Sequence, residues 1–123
     1  MGPLRGKRCL VLDDEFLIAL DLQQTLEQAG AAEVVCCGSA AEALAALRMG
    51  RFDLAVLDLR LGRGGGTSLP VAATLAAAAT PFVFITGLRG DSAEARAYPA
   101  APVIEKPYDA KALLAAVTQA VGG

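Results

Sequence analysis

"DLAVLDLRLGRGGGTSLP", Asp53 to Pro70, starts as a nearly unbroken apolar run, stops on an acid at Asp58, and within a few residues becomes glycine. Apolar residues in succession, without polar alternation, are the pattern of a strand covered on both faces, as in parallel sheets flanked by helices. The glycine loop then separates that strand from a helix that Pro70 can start. A glycine run behind a strand raises the question of a nucleotide-phosphate cradle. This one lacks the lysine that a P-loop places before its Ser/Thr, and it does not open a helix directly. Asp58 is therefore the candidate for chemistry, and the glycines read as a flexible rim beside it.

The rest of the chain repeats the strand-then-helix theme. "RCLVL" (Arg8 to Leu12) runs into "DDE", after which Phe16, Leu17, Leu20, Leu22 and Leu26 recur at helical spacing until Gly30. "EVVCC" (Glu33 to Cys37) is a second strand, and Ser39 with Glu42 forms a capping box for a helix that ends at Met49 before Gly50. "PFVFIT" (Pro81 to Thr86) is a fourth strand. "APVIEKPY" holds a short fifth, and Asp109 caps a last helix with Leu113, Leu114, Val117 and Val121 on its apolar face. Gly90 to Ala97 reads as a short, weak helix. Five strands alternating with five helices predict a parallel sheet with helices on both faces, because every parallel connection needs a right-handed crossover.

Composition agrees with one folded domain. The 123 residues are 54% hydrophobic and 20% charged, far from a disordered profile, and no repeat or linker divides them. The expected organisation is a single domain, 1–123 with its core at 8–121. The last helix runs almost to the final residue, so no DNA-binding output domain is expected. With 11 basic and 13 acidic residues there is no basic field for direct nucleic-acid binding. The uncharged stretch Gly64 to Leu88 is broken by prolines, threonine and glycines, so membrane insertion is not expected. No signal-peptide pattern leads the chain, and Cys9, Cys36 and Cys37 lie on or beside strands, which reads as reduced core thiols of a cytoplasmic protein. There is no histidine, so phosphate chemistry must rest on carboxylates, hydroxyls and lysine.

Polar groups gather where ligands bind in such sheets, at the carboxyl ends of the strands. Asp13, Asp14 and Glu15 follow the first strand, Asp58 ends the third, Thr86 ends the fourth and Lys106 follows the fifth. Each has an ordinary reading alone: the first acids cap a helix, Asp58 caps a turn, Thr86 is a strand residue and Lys106 a surface lysine. All of them at one edge needs a common reason. Three crowded acids repel one another, and a hard divalent cation such as Mg²⁺ relieves that repulsion while holding a phosphoryl oxygen. Asp58 is then a nucleophile, with Thr86 and Lys106 compensating the charge on the phosphoryl oxygens.

"VLDDE", "DLAVLDLRL", "PFVFITG" and "IEKPY", in this order and over almost the whole chain, resemble the receiver domain of bacterial two-component response regulators. The resemblance implies a flavodoxin-like (βα)5 three-layer sandwich with strand order 2-1-3-4-5. It implies phosphorylation of Asp58 by a sensor histidine kinase or a phosphotransfer protein, with an unknown protein downstream, in a monomer or weak dimer. By the same resemblance Asp14 binds Mg²⁺ directly, Asp13 largely through water, and the Arg60 backbone carbonyl adds a ligand. Thr86 and Lys106 contact the phosphoryl group, and the Lys106–Pro107 peptide is cis. Such a domain catalyses only its own phosphorylation and dephosphorylation. "LPVAATLAAAATPFVFITGL" with "APVIEKPY" is similar to the FAT GUY subgroup of single-domain alphaproteobacterial receivers, tied there to general stress signalling. Ile85, Leu88 and Arg89 depart from that subgroup's motif. Val103 replaces the usual rotating aromatic residue, and Gly62 replaces the proline four residues after the phosphoacceptor.

From these departures we expect the signal to pass through a shift of Thr86 and of "TGLRGDSAE" after it. We also expect a slowly hydrolysing acyl phosphate, since neither Arg60 nor Leu88 can act as a base for water. Two other classes are a metal-dependent phosphohydrolase, which would need an acid where Arg60 stands, and a pseudo-receiver acting only as an interaction module.

Overall fold

In the computed structural model, residues 2–62, 66–87 and 94–122 are described. The parallel sheet forms from β1 (Arg8–Leu12), β2 (Glu33–Cys37), β3 (Leu54–Asp58), β4 (Phe82–Thr86) and β5 (Val103–Glu105), in the order β2-β1-β3-β4-β5. The helices are α1 (Phe16–Gln28), α2 (Ala40–Met49), α3 (Leu69–Ala77) and α4 (Ala110–Gly122). This is the expected flavodoxin-like sandwich. Between β4 and β5 the described residues contain a 3₁₀ turn, Ala95–Ala97, at the end of the segment Gly90 to Ala97 expected as a weak helix. Residues 88–93 of that connection, and residues 63–65 of the glycine loop, lie outside the described residues.

Every residue of β3 and of β4 is buried, which is why their sequences do not alternate. The alternation exists in three dimensions. Leu54 and Val56 pack with Cys9, Val11, Val83 and Ile85 against Leu22 and Leu26 of α1 and Leu113 and Val117 of α4. Ala55 and Leu57 pack with Leu10, Leu12, Phe82 and Phe84 against Ala43 of α2 and Val71 and Leu75 of α3. Two apolar cores, one on each face, hold a rigid sheet whose carboxyl edge carries the polar groups.

The local start and stop signals act as their chemistry dictates. The Glu42 N–H donates to Ser39 Oγ at 3.1 Å, and Glu42 Oε1 in return accepts from the Gly38 N–H at 2.9 Å. The Ala112 N–H donates to Asp109 Oδ1 at 2.8 Å and opens α4. Gly30, at φ +107°, takes the left-handed turn after α1 and lies so close to Arg5 that an added Cβ would be 3.1 Å from its backbone.

The structure adds to one sequence reading and changes another. Of the five apolar residues that marked α1, only Leu22 and Leu26 are buried, while Phe16 and Leu17 are 77% and 76% exposed and Leu20 is exposed as well. At 100° per residue, Ala19, Leu22 and Leu26 share a face from which 16, 17 and 20 are turned away. Of the three thiols, Cys9 and Cys37 are core residues, but Cys36 is exposed because β2 is an edge strand covered less completely than its neighbours. All three are free.

Candidate functional site

The strand order decides which polar residues meet. The chain leaves β1 for β2 on one side and then returns to lay β3 on the other, so β1 and β3 flank the point where direction reverses. Their register pairs Cys9 with Leu54 and Leu12 with Leu57. Carried one residue further, it sets Asp13 opposite Asp58. Acceptor oxygens of Asp13, Asp14 and Asp58 all lie within 4.8 Å of one another.

Burial makes this cluster costly. Asp13 is 2% exposed and Asp58 5% exposed, whereas Asp14 is open to solvent. Loss of hydration pushes the Asp13 carboxyl up to about 6, with the negative charge of Asp58 adding to the rise and the Glu15 N–H and Lys106 opposing it. Asp58 is also raised, mainly by burial, with Lys106 working the other way. The Lys106 ammonium donates to Asp58 Oδ2 at 3.3 Å and stands 3.9 Å from Glu15 Oε1. Tyr108, behind this edge, is pushed up to about 12 by burial and by the charges of Asp13, Asp21 and Asp58.

Asp13 fills the capping role that its sequence position allows. Its Oδ1 accepts from the Glu15 N–H at 2.9 Å at the entry to α1, as a capping acid does. Its Oδ2 is buried and has no hydrogen-bond partner among the described residues. An orphaned carboxylate oxygen beside two further acids fits a hard cation with oxygen ligands, because such an ion satisfies the lone pair and removes the repulsion together.

Thr86 ends β4 and is buried, and its hydroxyl donates to the Gly87 carbonyl at 3.4 Å. The β4–β5 ladder continues past it, with the Lys106 N–H donating to the Thr86 carbonyl at 2.9 Å, so Thr86 and Lys106 are carried on one backbone frame. The Lys106–Pro107 peptide is cis. Arg60 lies where the chain leaves β3, bridging Thr67 in antiparallel fashion, while its guanidinium meets Glu94 at 2.7 Å. The Leu61 N–H donates to the Gly66 carbonyl and the Ser68 N–H to the Leu59 carbonyl, each at 2.9 Å. The glycine loop is thus pinned at its base, ahead of α3, and contributes no helix N-terminus to the site.

Two contacts add to the sequence reading. Glu15 reaches Lys106, and the Gly62 N–H donates to Asp14 Oδ2 at 2.9 Å. The "DDE" run hinted at the first. The sequence singled out Gly62 only as a departure from the family's proline, because a backbone donor leaves no side-chain signature.

The model of the response regulator receiver domain matches residues 9–118. A receiver protein from Sinorhizobium medicae is 29% identical, with a TM-score of 0.83 and 98% of each chain covered. SdrG from Sphingomonas melonis is 37% identical with a TM-score of 0.75, over 98% of this chain and 99% of that one. The PhyR stress response regulator, at 23% identity and a TM-score of 0.72, shares the fold across 94% of this chain and 45% of its own. The search of curated proteins returned no match. With a sheet of order 2-1-3-4-5, an acidic cluster at its reversal point and a family match over most of its length, the chain belongs to the receiver domains of two-component response regulators.

Proposed function

We propose that this receiver takes a phosphoryl group from a sensor histidine kinase, or from a phosphotransfer protein, onto Asp58 in a reaction that depends on Mg²⁺. The observation that carries the reading is the convergence of Asp13, Asp14 and Asp58 within 4.8 Å, with the Lys106 ammonium 3.3 Å from Asp58. Asp13, Asp14, Asp58 and the Arg60 carbonyl would hold the ion, which when bound offsets the acids and the charge on the phosphoryl oxygens. An Asp58 oxygen attacks phosphorus, forming the acyl phosphate as the phosphorus–nitrogen bond of the donor phosphohistidine breaks. Lys106, already paired with Asp58, moves its charge to a phosphoryl oxygen, and the Thr86 hydroxyl exchanges the Gly87 carbonyl for another.

The protein acts as a signalling module in the cytoplasm, its chemistry confined to its own phosphorylation and dephosphorylation. Membership of the FAT GUY subgroup draws support from the motifs around "PFVFITG" and "IEKPY". The kinase docks beside the acids on Phe16, Leu17 and Leu20, large apolar side chains left exposed on the first turns of α1. Val103 on β5 cannot relay the state of Thr86 as an aromatic ring would. We assign output to the segment after Thr86, where the Arg60–Glu94 ion pair ties the β3 exit to the 3₁₀ turn.

The test is intact-mass measurement after incubation with a small phosphodonor and Mg²⁺. One phosphoryl group is expected on the wild type and none on Asp58→Ala. An unlabelled wild type would leave a pseudo-receiver, and steady turnover of a simple phosphate ester would point to a phosphohydrolase.

A further inference from the structure

The acidic cluster is tied from outside by a glycine. The Gly62 N–H donates to Asp14 Oδ2 at 2.9 Å, joining the chain just past β3 to the turn between β1 and α1, and a Cβ built on Gly62 would fall 2.6 Å from the same oxygen. A side chain here would push the exposed Asp14 carboxylate aside from this oxygen position, and proline would remove the donor, so glycine is the residue that keeps the contact as it stands.

Asp14 needs such a tie more than its neighbours do. Asp13 and Asp58 are fixed by burial, whereas Asp14 is exposed and its carboxylate would otherwise rotate in solvent. We infer that Gly62 is a positioning residue for the divalent cation, acting through Asp14 by holding one carboxylate oxygen and leaving the remaining lone pairs set for the ion. The inference rests on the metal reading above. A hydrogen-bond partner behind a metal ligand is worth about 10- to 100-fold in affinity.

Magnesium chloride titration of the full chain, by calorimetry and by amide chemical shifts, tests it with wild type, Gly62→Pro, Gly62→Ala and Asp14→Ala. Gly62→Pro is expected to bind Mg²⁺ about 10- to 100-fold more weakly through loss of the donor. Gly62→Ala is expected to weaken binding too, because its methyl group displaces the Asp14 oxygen. In metal-free Asp14→Ala the Gly62 amide resonance should move upfield. Circular dichroism checks that each variant folds, and if Gly62→Pro does not, Gly62→Ala decides. Wild-type affinity in both glycine variants would overturn the inference alone. A wild type that binds no Mg²⁺ would overturn the metal reading as well.

Discussion

Asp13→Asn should stabilise the metal-free protein at neutral pH and lose that advantage in mild acid. The folded carboxyl sits at about 6 rather than 3.8, chiefly because it is buried, and each pH unit of that difference is about 1.36 kcal/mol. The full penalty for holding Asp13 ionised in the fold is therefore about 3 kcal/mol. Below about pH 4 the group is protonated in both folded and unfolded chains and the penalty vanishes. Between about 4 and 6 the unfolded chain has released its proton and the folded one has not, so stability falls as pH rises. Above about 6 the loss is complete. Asp58, raised by the same cause, adds to the trend in the same direction. Asparagine removes the charge and keeps the oxygen that accepts from the Glu15 N–H, at the cost of an amide that is itself poorly paired, so we expect a net gain of about 1–3 kcal/mol at pH 7.5. For a domain of this size that is a Tm rise of about 4–12 °C. Thermal unfolding in EDTA from pH 4.5 to 7.5 measures it, and Mg²⁺ should recover stability in the wild type more than in Asp13→Asn. A difference between the two melting curves that stays flat across this range would refute the assignment of a buried, orphaned charge to Asp13.

Replacing Phe16 and Leu17 together by aspartate should slow phosphoryl transfer from the cognate kinase about tenfold more than it slows labelling by a small phosphodonor, since exposed apolar anchors serve a protein partner. Equal slowing by both donors would remove α1 as the docking face. The acyl phosphate on Asp58 should be long-lived, because Arg60 supplies no base and is drawn toward Glu94. A half-life of only seconds without a phosphatase would contradict this.

Much of the fold was legible along the chain because its signals are local. An unbroken apolar run reports burial on both faces, Ser39 and Asp109 report helix starts through bonds three residues long, and strand-helix alternation leaves parallel topology as the economical solution. Before β5 the described residues hold the 3₁₀ turn Ala95–Ala97, the end of the segment read as a weak helix. The outward face of α1 was missed for a different reason. Spacing identifies a helix, but which stripe is covered depends on what packs against it, and here the sheet and α4 take Leu22 and Leu26 and leave Phe16 and Leu17 in water.

The site divides in the same way. Residue type and position at strand ends determined by themselves that Asp13, Asp14, Asp58, Thr86 and Lys106 were the candidates, because carboxylates, a hydroxyl and an ammonium at one sheet edge have few joint uses. Tertiary structure alone decided that Asp13 stands opposite Asp58 with one oxygen unpaired among the described residues, that Lys106 reaches Asp58, and that the Gly62 N–H meets Asp14. These contacts join residues up to 48 positions apart through strand order and register, and a backbone N–H, which every residue but proline carries, has no letter of its own in the sequence.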